Sequence, residues 1–65
     1  MNLTYKEIVK LKGKELLNTN TSSAEFGKVF KVTSSTSKNV ILNNGITIKT
    51  DIFLETKQYD YKLLP

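Results

Sequence analysis

Histidine and cysteine are both absent from the 65 residues. These two side chains supply most nucleophiles and most acid–base groups that work near neutral pH. Serine triads and cysteine dyads are thereby excluded, and zinc loses its two commonest ligand types. Without cysteine no disulfide or thiolate cluster holds the chain, so packing alone must stabilise it. Arginine is missing as well: all ten basic residues are lysine. Bidentate reading of guanine edges is therefore unavailable. The longest apolar runs, such as Val40 to Leu42, fall far short of the ~20 residues of a membrane span. No apolar leader core stands at the start either, and a cytoplasmic protein without a membrane partner is expected. The three glycines, Gly13, Gly27 and Gly45, are isolated and form no phosphate-cradling loop.

What remains is an ordinary marginal domain, 38 % hydrophobic and 25 % charged, with a net charge of +4. A chain this short buries only about 60 % of the surface it exposes when unfolded, which leaves little material for a deep cleft. One domain spanning residues 1–65 is expected. The lysine bias, together with six asparagines, is what an AT-rich coding sequence produces and fits a small phage or mobile-element gene.

Thr4-Tyr5-Lys6-Glu7 has the pattern of a capping box, with Leu3 and Ile8 spaced as a hydrophobic staple. The spacing predicts a helix from about residue 4 to residue 17, with Tyr5, Ile8, Val9 and Leu16 on one side and Lys6, Lys10 and Lys14 on another. Lys12 inside the apolar sector and Gly13 in the interior interrupt this pattern. An earlier stop near Lys12, with Gly13 as the left-handed residue beyond it, is the alternative. The Asn, Thr and Ser run from Asn18 to Ser23 reads as a loop.

Beyond the loop the hydrophobic period changes to two. Strands are predicted over about 28–33, 39–42, 46–49 and 58–64. Asn43-Asn44-Gly45 marks a hairpin, and a three-residue loop with Gly45 at positive φ pairs Leu42 with Ile46 and Val40 with Ile48, bringing all four to one face. Between the last two strands, Asp51 is placed to cap a short turn that buries Ile52 and Phe53. The fold class is therefore α+β, an N-terminal helix followed by a small antiparallel sheet of about four strands. In order of elements alone this resembles the small SH3-like or Sm-like barrels, a likeness that implies no function.

Six carboxylates are the remaining candidates for chemistry, and no two have the spacing of a cooperating pair, so neither an enzyme nor a cofactor or metal site is expected. Lys6, Lys10, Lys12 and Lys14 form the candidate nucleic-acid interface, because clustered ammonium groups release counterions on meeting phosphates. Tyr59 and Tyr61, two apart in the last strand and flanked by Lys57 and Lys62, are candidates for base stacking or partner contact. The competing reading is a protein-interaction module or inhibitor of a host protein, acting through an edge strand or an apolar patch around Tyr59, Tyr61, Leu63 and Leu64. Edge pairing with a second copy belongs to the same reading.

Overall fold

The computed structural model describes residues 1–65 as a small α+β domain. Helix α1 (Tyr5–Ile8) continues as a 3₁₀ turn over Val9–Leu11 and ends there. The capping box at its start is formed: the Glu7 carboxylate accepts from the Thr4 amide at 3.1 Å and from the Thr4 hydroxyl at 3.0 Å. The helix expected to reach residue 17 is thus about half that length even with its 3₁₀ turn, and the earlier stop is the one observed. Gly13 takes φ 85°, a conformation that costs an L-residue about 1 to 2 kcal/mol and that reverses the chain. Residues Glu15–Asn18 then form strand β1. Leucines favour helices, yet here two ladders outweigh that preference, because β1 is flanked by strands on both sides.

Strands β2 (Val29–Ser35), β3 (Asn39–Leu42) and β4 (Thr47–Lys49) follow as an antiparallel meander. Helix α2 (Thr50–Glu55) and a 3₁₀ turn (Lys57–Asp60) lead to β5 (Tyr61–Leu63), which returns to pair with β1. The sheet therefore has five strands in the order β4-β3-β2-β1-β5. It is open: β4 and β5 stand at its two ends and are not paired with each other.

The predicted hairpin register is observed. Val40 pairs with Ile48, the Leu42 amide donates to the Ile46 carbonyl at 2.9 Å, and Gly45 has φ 87°. Val40 and Leu42 are buried, Ile48 packs against them, and Ile46 at the hairpin end is exposed. Strand β2 runs two residues further than expected because of a bulge. Val32 pairs with Leu42 but Ser34 pairs with Ile41, so Thr33 is the extra residue and the buried parity changes from Phe30 and Val32 to Ser35. One half of β2 serves β1 and the other β3, and the bulge lets the sheet turn over a single core.

That core comprises Ile8, Leu11, Leu16, Phe30, Val32, Val40, Leu42, Phe53 and Tyr61. Phe53 comes from α2, whose burial matches expectation, whereas Ile52 points outward, 47 % exposed. Asp51 lies within the first turn of α2, and Lys49 holds the cap position instead. Tyr5 and Val9, expected on the packed side of a long helix, are exposed because the helix ends before a second turn of partners exists.

Candidate functional site

Where the chain leaves the 3₁₀ turn and β5 returns beside β1, the surface dips into a groove of about 160 Å³ lined by Leu3, Glu7, Lys10, Leu11, Lys14 and Leu63. Leu3 reaches it from just before the N-cap, Glu7 from α1 and Leu11 from the 3₁₀ turn, at a spacing of four. Lys14 enters from beyond Gly13, and Leu63 from β5, opposite Leu16 of β1. The floor is leucine, and the charged groups are two ammoniums and one carboxylate. One oxygen of that carboxylate, Oε1, accepts both donors of Thr4, and neither lysine is in an ion pair with an acid. Lys28 with Glu25, at 3.1 Å and largely exposed, is the one ion pair of the protein.

The four N-terminal lysines are consequently divided. Lys10 and Lys14 converge on the groove, while Lys6 and Lys12 are exposed but do not line it. A single helical stripe does not exist, since Lys12 and Lys14 lie past the last helical turn. The other lysines are spread over the molecule. Lys31 on β2 is opposite Glu15 of β1, Lys62 on β5 is opposite Leu17, and Lys38 and Lys49 lie near one another, joined through the Thr50 amide bond to the Lys38 carbonyl.

Tyr59 and Tyr61 do not share a sheet face. The expected strand over 58–64 is a 3₁₀ turn followed by a three-residue strand. Its first half is bent by Gln58, whose side chain bonds to Leu3 and to the Leu54 carbonyl. Tyr59 is 58 % exposed, whereas Tyr61 is 9 % exposed and belongs to the core. The Tyr61 ring meets Phe30 edge-on at 6.4 Å and stacks on Phe53 at 6.3 Å. Burial, then the neighbouring charges of Asp60 and Glu25, hold its phenol above the ordinary value of 10.0. Of the apolar patch expected around these tyrosines, Leu63 alone lines the groove.

The carboxylates are dispersed, and no three of them come together. Asp60 accepts from the Asn20 side chain at 3.2 Å, which ties the loop after β1 to the last 3₁₀ turn. No helix is long and apolar enough to cross a membrane.

The sequence reading missed Leu3, Glu7 and Leu11 as lining residues, and it named Leu63 without placing it beside Lys10 and Lys14. A signal for these three was present in their spacing of four; the return of β5 to β1 had none, being a long-range pairing. Comparison with protein-family models, with curated proteins and with solved structures finds no match to the chain.

Proposed function

We propose that this protein is a non-enzymatic binding module that docks on another protein through the side bearing the Lys10 and Lys14 groove. The observation that carries the reading is the combination found there: an apolar floor of Leu3, Leu11 and Leu63 beside two ammonium groups without acidic partners. An apolar pocket with a few placed polar groups is the usual form of a recognition site. Action by contact rather than by turnover is in keeping with the absence of imidazole and thiol and with dispersed carboxylates. The last strand returns onto the first but the sheet stays open, and the expected likeness to the small SH3-like barrels, one of element order only, adds nothing about the partner.

Binding of nucleic-acid phosphates by Lys6, Lys10, Lys12 and Lys14 is the second reading, favoured by the lack of any acidic partner for these four. It ranks below the first on three grounds. Glu7 and Glu15 are interspersed with the lysines, the remaining positive charge is dispersed, and Tyr61 is buried, so no pair of rings offers a stacking platform.

Immobilised protein exposed to a nuclease-treated host lysate separates the two. A protein partner retained by the wild type and lost from Lys10→Glu/Lys14→Glu supports the first reading. Loss of all capture on nuclease treatment, together with oligonucleotide affinity that falls steeply between roughly 50 and 200 mM salt, supports the second.

A further inference from the structure

The last strand of the sheet adds a second feature to the groove. The Leu64 amide donates to the Glu15 carbonyl at 2.9 Å and the Thr19 amide to the Asp60 carbonyl at 2.8 Å. Asp60, Lys62 and Leu64 therefore turn their backbone groups toward β1, and antiparallel alternation turns those of Tyr61 and Leu63 toward the open side. On that side the Tyr61 carbonyl accepts the Met1 ammonium at 3.2 Å, and the Tyr61 amide is bonded to Gln58. The N-terminal segment covers the edge up to this point. The amide and carbonyl of Leu63 are left beyond it, directly beside the groove that the Leu63 side chain helps to line.

Resting on the protein-partner reading, we infer that this place receives an extended acidic segment of the partner. The segment adds to the β5 edge by bonding to the Leu63 amide and carbonyl, seats one large apolar side chain between Leu3, Leu11 and Leu63, and sets a carboxylate one or two residues away against Lys10 and Lys14. Three observations select this occupant. Unpaired edge groups accept another strand. The volume of about 160 Å³ suits one side chain, since a cavity on the order of 150 Å³ holds a benzene-sized group. The lining carries a net positive charge, two ammoniums against the one carboxylate of Glu7, and neither Lys10 nor Lys14 is in an ion pair. A nucleotide fits less well, as three leucines offer neither an aromatic face for a base nor donors for a sugar.

The test is selection from a displayed library of random octapeptides on the intact protein, followed by titration of the synthetic winners with ¹H–¹⁵N NMR and fluorescence anisotropy. The inference expects winners that share one large apolar residue within two positions of Asp or Glu. It also expects amide shifts concentrated at Leu63, Lys10, Leu11 and Lys14, and affinity about tenfold lower for Lys10→Glu/Lys14→Glu, whose folding is checked by circular dichroism. No shared pattern, basic or uncharged winners, or shifts confined to another surface would overturn it. So would displacement of the winners by oligothymidylate with the same shifts, which transfers the site to nucleic acid. Failure of this assignment is distinguishable from failure of the reading it rests on: a partner captured from nuclease-treated lysate by the wild type and lost from the double-glutamate variant, with no apolar–acidic pattern among the winners, keeps the groove as the docking side for another kind of occupant, whereas capture by the double-glutamate variant overturns both.

Discussion

Gln58 is 2 % exposed at the seam between the N-terminal segment and α2. Its Oε1 accepts from the Leu3 amide at 2.7 Å, and its Nε2 donates to the carbonyls of Leu54 at 2.7 Å and Leu3 at 3.3 Å. Replacement by leucine keeps the volume and strands three backbone groups, each of which costs about 1 to 3 kcal/mol when buried without a partner. Gln58→Leu is expected to lower stability by roughly 3 kcal/mol in urea unfolding. Ser35→Ala is the contrast, since the Ser35 hydroxyl is buried with no partner, and a change within about 0.5 kcal/mol is expected there.

Tyr61 makes a prediction of the opposite kind, in pH. Its phenol is held above 10.0, chiefly by burial, so the folded state keeps the proton that the unfolded state releases. The resulting stability is fully present below pH 10 and is lost as pH rises through the folded value. Urea midpoints of the wild type are therefore expected to fall more steeply above pH 10 than those of Tyr61→Phe. Parallel curves for the two proteins would contradict this.

At the scale of elements, the turn at Gly13 decides the topology. A cap at Thr4 and apolar spacing through Leu16 are genuine helix signals, and the residue that stops them was visible as Gly13. What the sequence could not weigh was the gain from making Glu15–Asn18 a central strand with two neighbours. The hairpin at Asn43-Asn44-Gly45 was readable to its register, because loop length and side-chain parity act locally. The bulge at Thr33 was not: Ser34 and Ser35 are polar, and only their partners Ile41 and Val40 reveal them as strand. The site divides in the same way. Lys10 and Lys14 were legible only as members of a four-lysine cluster, and their leucine lining requires β5 to come back from the far end of the chain.

Gly13 also gives this scale its prediction. Beyond its two chain neighbours, no atom lies within 4 Å of where a Cβ would stand, so Gly13→Ala meets only the penalty of positive φ. A loss of about 1 to 2 kcal/mol is expected, with the strand pairing of Leu16 to Phe30 retained in hydrogen-exchange protection. A loss well above that, or collapse of the β1 protection, would mean that Gly13 has a role beyond its backbone conformation.

At the scale of the whole molecule, with a radius of gyration of 10.5 Å and a single core, the proposed action is contact across the outside. Several exposed apolar side chains compete for that role, among them Phe26 at 54 %, Ile52 at 47 % and Leu63 at 38 %. Leu63 alone combines a groove, two unpaired ammonium groups and open backbone bonds. The most direct measurement replaces Leu63, Phe26 or Ile52, one at a time, with a photo-crosslinking p-benzoylphenylalanine and irradiates each protein in host lysate. The account predicts a discrete adduct from position 63 that resists nuclease and is destroyed by protease. Adducts formed only from positions 26 or 52, or an adduct from position 63 that nuclease removes, would contradict it.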